Sequence, residues 1–163
     1  MRPMKLLRSS AAIFFLFIVA VAYFPERVAA QPPPKDPNRY VPGLGDLMIG
    51  LQVHHGKLWH AGEASNWELA AHEIDALKEA FADIVTLRPT FKRESIVEML
   101  TQFSAGPLDA LSDAVVARDQ EHFQQAFDSL STACNACHEV HGYGFIVLQR
   151  PTSLMLNNQR YTP

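Results

Sequence analysis

From Leu44 onward, apolar residues recur at intervals of three and four for almost a hundred positions, the spacing of amphipathic helices. The first segment spans Leu44 to Ala61. Leu44, Leu47, Met48, Leu51, His55, Leu58 and Trp59 form its stripe, and Gly62 is expected to end it. The second opens at Ser65-Asn66-Trp67-Glu68, a capping-box pattern with Ser65 as the expected N-cap. Trp67, Ala70, Ala71, Ile74, Leu77, Phe81, Ile84 and Val85 mark its core face, and Pro89 stops it. The third runs from Arg93 to Arg118 along Ile96, Val97, Met99, Leu100, Phe103, Leu108, Leu111 and Val115. Gly106-Pro107 is expected to break or kink it, because proline removes a backbone donor and crowds the preceding turn. The fourth starts at Asp119, an N-cap residue, and carries Phe123, Phe127, Leu130, Cys134 and Cys137 on one face. No stretch of alternating polarity predicts a strand. Four amphipathic helices with short connections predict an all-α fold, an antiparallel four-helix bundle.

The ends differ from this middle. Residues 1–30 have the form of a secretory signal peptide: Arg2, Lys5 and Arg8, an apolar run from Ala11 to Phe24, then Val28-Ala29-Ala30 before the expected cleavage. Residues 31–43 hold five prolines and predict an extended leader. Residues 44–163 form the expected folded domain, whose tail from Gly142 to Pro163 is predicted as an ordered coil that packs Phe145, Ile146, Val147 and Leu148 on the helices.

Cleavage would leave 10 basic and 16 acidic residues, a formal charge of −6. Such a chain offers no basic patch for nucleic acid and no membrane segment in its mature form, and its surface suits a basic protein partner. Export favours disulfides, but Cys134 and Cys137 are the only cysteines and, three apart, would close a very small ring.

The stretch Cys134-Asn135-Ala136-Cys137-His138 therefore asks for another chemistry. A dithiol redox centre normally opens a helix in a βαβ setting, whereas this motif lies late in a helix. Zinc would draw on Cys134, Cys137, His138 and His141, but structural zinc sites take ligands from two separated pairs. Covalent c-type haem uses the pattern as it stands: two thiols for the vinyl groups and the following histidine for the iron. Export agrees with haem attachment outside the cytoplasm.

With its signal peptide, four helices and Cys-x-x-Cys-His on the last helix, the chain resembles the cytochrome c′ / cytochrome c-556 group over residues 44–141. The resemblance implies one haem c inside the bundle, Cys134 and Cys137 as attachment sites, His138 as the proximal iron ligand, and often a homodimer. It also implies that the first helix supplies the distal side, either an apolar residue leaving the iron open or a methionine ligand. The place four after the haem histidine, commonly basic in that group, is Gly142 here, and 22 residues follow His141.

The first segment offers Met48, His54, His55 and His60 to the distal side. Met48 and His55, seven apart, lie within about 20° around a helix and about 10 Å along it. His55 is the first candidate for the distal ligand, because a histidine on an apolar face needs a partner. Otherwise a backbone carbonyl, Glu73 or Glu63 would bond it. Met48 is the second candidate. His60, His72 and His122 are expected at the surface, His141 near a haem propionate, capping its helix or exposed, and Trp59 and Trp67 in the core. Arg150, Lys57 and Arg88 are the cations considered for the propionates. The expected function is single-electron transfer in the periplasm with a redox partner protein. The alternative is a five-coordinate protein binding nitric oxide or carbon monoxide. A peroxidase would need a distal base such as His54 or His55 and a charge stabiliser, and no arginine stands in the first segment.

Overall fold

Helix α1 (Leu44–Glu63) opens the computed structural model, which describes residues 40–154, 156 and 158–163. The expected signal peptide and most of the proline-rich leader lie outside the described residues. Helices α2 (Trp67–Leu87), α3 (Ile96–Ala117) and α4 (Gln120–Val140) follow, with a hairpin of two-residue strands, β1 (Thr90–Phe91) and β2 (Glu94–Ser95), between α2 and α3. The described chain is thus mostly helical. Among its residues no helix is long and apolar enough to cross a membrane.

Each helix boundary has a local cause. At α1 the Asp46 carboxylate accepts the Gly43 amide at 3.0 Å. Gly62 does not end α1, which continues to Glu63. Gly62 is buried instead, and a Cβ there would overlap the Phe123 ring of α4. Its missing side chain serves close packing rather than termination. Because α1 runs on, Ser65 falls in the left-handed region at φ 53° and cannot cap α2. Asn66 does so, its side chain accepting the Leu69 amide at 3.2 Å. Asp119 caps α4 as expected, accepting the His122 amide at 3.0 Å.

Pro107 does not end α3, which runs through it to Ala117. The preceding residue is Gly106, and without a Cβ it escapes the clash that drives the residue before proline out of the helical region. The hairpin was not legible as strands. Its turn is made by Lys92 (φ 47°) and Arg93 (φ 76°), a two-residue turn with both residues left-handed, where glycine or asparagine is the usual signal.

Helices α1 and α2 pack together extensively, as do α3 and α4; α2 packs on α3, and α1 touches α4 more lightly. Leu58, Ile74, Leu77, Ile84, Ile96, Leu111, Phe123, Phe127 and Leu130 are buried between them. Each is worth about 1.5–3 kcal/mol of transfer free energy. Trp59 and Trp67 join Phe123 and Phe127 in an aromatic cluster, their expected place in the core.

The tail departs from its expectation. Phe145, Ile146 and Val147 are exposed rather than packed. The tail is held by polar contacts instead. Asn135 bonds both main-chain groups of Leu148, at 2.8 and 2.7 Å. Arg150 pairs with Asp128 through two nitrogens and lies over the Trp59 ring. Asn66 donates to the Tyr161 carbonyl at 2.9 Å, and Tyr161 is buried.

Candidate functional site

One cavity of about 280 Å³ gathers residues from all four helices, near the lower end of small-molecule pockets. Met48, Leu51 and His55 reach it from α1, Leu77 and Phe81 from α2, Met99, Leu100 and Phe103 from α3. From α4 come Leu130, Cys134, Cys137 and His138. Phe91 of the hairpin and Tyr143, Ile146 and Leu148 of the tail complete the rim. Apolar side chains dominate this lining.

The helical stripe explains why both cysteines are there. Phe123, Phe127, Leu130, Cys134 and Cys137 keep one face of α4, which is fully buried at Phe123 and opens onto the cavity by Cys134. Both thiols are free. Desolvation pushes the Cys134 thiol up to about 11, with Cys137 adding to the rise, and desolvation also raises Cys137. Both are therefore protonated at neutral pH, the opposite of the low-pKa thiolate that a dithiol exchange centre requires. Among the described residues no group of three or more His, Cys, Asp or Glu side chains is arranged to hold a metal ion, so Cys134, Cys137, His138 and His141 do not assemble a zinc site there.

His138 is half-buried, and its Nδ1 lies 2.8 Å from the Ile146 carbonyl oxygen. A carbonyl only accepts, so Nδ1 carries the proton and Nε2 holds the lone pair. No described residue pairs with Nε2. His141, one turn on, ends α4 as its C-cap and pairs through Nδ1 with Glu94 at 3.2 Å.

His55 is buried, its ring against Phe127 with centroids 4.3 Å apart. Its Nε2 lies 2.9 Å from Ser131 Oγ, and that hydroxyl donates to the Phe127 carbonyl at 3.0 Å. With its one proton so used, Ser131 accepts from His55 Nε2–H. Burial drives the His55 pKa down to about 4, so the ring is neutral near pH 7. The partner of His55 is thus Ser131, and neither Glu73 nor Glu63. Glu73 is fully buried and takes His54 Nδ1 at 2.8 Å and the Lys57 ammonium. Met48, half-buried, shares the cavity wall with His55.

The remaining histidines sit apart from the cavity. His60 was expected to be exposed, but its Nε2 bonds the Ser153 carbonyl at 3.2 Å, because the tail lies over that end of α1. His72 and His122 are at the surface, the latter paired with Asp119. The three cations considered for propionates are engaged elsewhere: Arg150 by Asp128, Lys57 by Glu73, Arg88 by the carbonyls of Val41 and Pro42. Lys92 stands beside two cavity-lining side chains, over the Phe91 and Tyr143 rings, and donates to the His141 carbonyl at 3.1 Å. Only the left-handed turn puts it there, so no sequence pattern marks it.

Comparison with protein-family models, curated proteins and solved structures finds no match to this chain.

Proposed function

We propose that this chain is an exported mono-haem c-type cytochrome of the cytochrome c′ / cytochrome c-556 kind, an antiparallel four-helix bundle that transfers single electrons in the periplasm. The observation that carries this reading is one apolar cavity faced by both protonated thiols and by a histidine whose Nδ1 is committed to a carbonyl while Nε2 is left with its lone pair. That donor set fits haem c. Cys134 and Cys137 would hold it through two thioethers, and His138 Nε2 would be its proximal iron ligand. Lys92, as the rim cation, would face a propionate. When bound, the haem supplies a reversible one-electron couple. The apolar wall of Leu51, Leu77, Phe81 and Phe103 excludes water and so disfavours added charge on the iron.

On the distal side the chain offers Met48 and His55. His55 gives its Nε2–H to Ser131, which leaves Nδ1 with a lone pair, and no described group competes for the Met48 sulfur. His55 through Nδ1 and Met48 through its sulfur are therefore both candidates for the distal ligand. The same His55–Ser131 bond supports a second reading: an open iron in an apolar pocket that binds nitric oxide or carbon monoxide. An acidic mature chain suits a basic redox partner, and a homodimer belongs to the same proposal.

The test is the optical spectrum of the matured protein, oxidised, reduced and with carbon monoxide. Low-spin spectra insensitive to carbon monoxide support electron transfer with a filled sixth position, and whichever of His55→Leu and Met48→Leu removes the ligand should then make them sensitive. High-spin spectra that shift with carbon monoxide support the gas-binding reading. Covalent haem retained after Cys134→Ala with Cys137→Ala would sink both.

A further inference from the structure

The two residues between the cysteines of an attachment motif are free of any duty to the haem, yet Asn135 is half-buried and fully engaged. Its Nδ2 donates to the Leu148 carbonyl at 2.8 Å, and its Oδ1 accepts the Leu148 amide at 2.7 Å. One side chain thus takes both main-chain groups of one tail residue, thirteen positions away. Two residues earlier on the same tail, the Ile146 carbonyl accepts the His138 Nδ1–H at 2.8 Å. The irregular backbone carrying that carbonyl has little apolar packing of its own, since Phe145 and Val147 are exposed and Ile146 only partly covered at the cavity wall. Gly142, at φ 82°, turns the chain back after α4, with the Tyr143 amide closing on the His138 carbonyl at 2.7 Å. The tail is therefore pinned just before Ile146 by that turn and just after it by Asn135.

We infer that Asn135 is a positioning residue for the proximal histidine: by clamping Leu148 it holds the Ile146 carbonyl against His138 Nδ1–H and so sets the orientation and basicity of the imidazole that ligates iron. The inference rests on the haem reading above. A ligating histidine that donates its other N–H to a carbonyl is a stronger donor, and such outer partners shift the properties of the metal. A stronger donor favours the ferric state. Loss of the clamp therefore raises the reduction potential.

The experiment uses the full chain expressed with haem maturation and compares wild type with Asn135→Leu, close in size but without hydrogen bonds. Leu148→Pro, which removes the clamped amide from the tail side, is the second variant and stands in if the first loads poorly. Asn66→Ser is the control: it keeps a capping side chain on α2 but releases the tail at Tyr161, far along from His138. Covalent haem is read by intact mass, the midpoint potential by titration, and the exchange of the His138 Nδ1 proton by NMR of the reduced protein. The expected result is covalent haem in every protein, with a higher potential and faster Nδ1 proton exchange in Asn135→Leu or Leu148→Pro. Asn66→Ser should lose stability and move neither readout. Covalent haem with unchanged potential and exchange in the clamp variants would overturn the inference and leave the haem reading standing. A wild-type chain that takes no covalent haem would overturn both.

Discussion

At the scale of single residues, His55 carries the sharpest consequence. It is the one histidine with a strongly depressed pKa, about 4, caused by burial against Phe127 with only a hydroxyl as partner. In the unfolded chain it titrates near 6.5. The folded value lies below the unfolded one, so the unfolded state takes up the proton first as pH falls. The contribution is complete above pH 6.5, declines between 6.5 and 4, and levels off below 4. The full loss is on the order of 3 kcal/mol. Urea denaturation at pH 7 and pH 4.5 should show the decline, and His55→Leu should flatten it. An equally steep dependence in His55→Leu would assign the effect to other groups. Sequence spacing placed His55 on an apolar face. It said nothing of Ser131, because the two are 76 positions apart and meet only where α1 crosses α4.

At the scale of elements, the boundaries show which local signals survive packing. Asp119 capped its helix as read, since an N-cap bond depends on three neighbouring residues alone. Ser65 and Gly62 did not behave as read, because a tertiary contact competed. Phe123 requires bare backbone at Gly62, so α1 continues past the glycine and the cap moves to Asn66. Gly62→Val is therefore expected to destabilise by about 1–3 kcal/mol through overpacking, even though valine is no worse than glycine in a helix. Thermal unfolding measures it, and pairing with Phe123→Leu should recover part of the loss. Additive losses in the double variant would mean that the two sites do not share the contact.

At the scale of the whole molecule, one end of the helix assembly is closed by the Gly62–Phe123 approach and its aromatic cluster, while the cavity opens by the motif of α4. The expected mature chain carries a net charge of −6. A cationic ruthenium ammine should therefore exchange electrons with the matured protein faster than anionic ferricyanide does, after correction for driving force. Added salt should narrow that gap as the Debye length shrinks to about 8 Å at 0.15 M. Salt-independent rates would mean that the net acidic charge does not act at the proposed haem site.

Three features that depend on residues close in the chain were legible from the sequence alone: the helical periods, the Asp119 cap, and the Cys134–Cys137–His138 spacing that brings two thiols and an imidazole to one turn of one helix. Short range makes these robust, since few conformations compete with them. What depends on distant residues meeting was decided by the tertiary structure. Ser131 satisfies His55, Lys92 comes beside Phe91 and Tyr143 through a left-handed turn, and Asn135 and His138 hold the same stretch of irregular tail. Each is a directional polar contact between segments, and hydrophobic periodicity carries no information about hydrogen-bond partners across the fold.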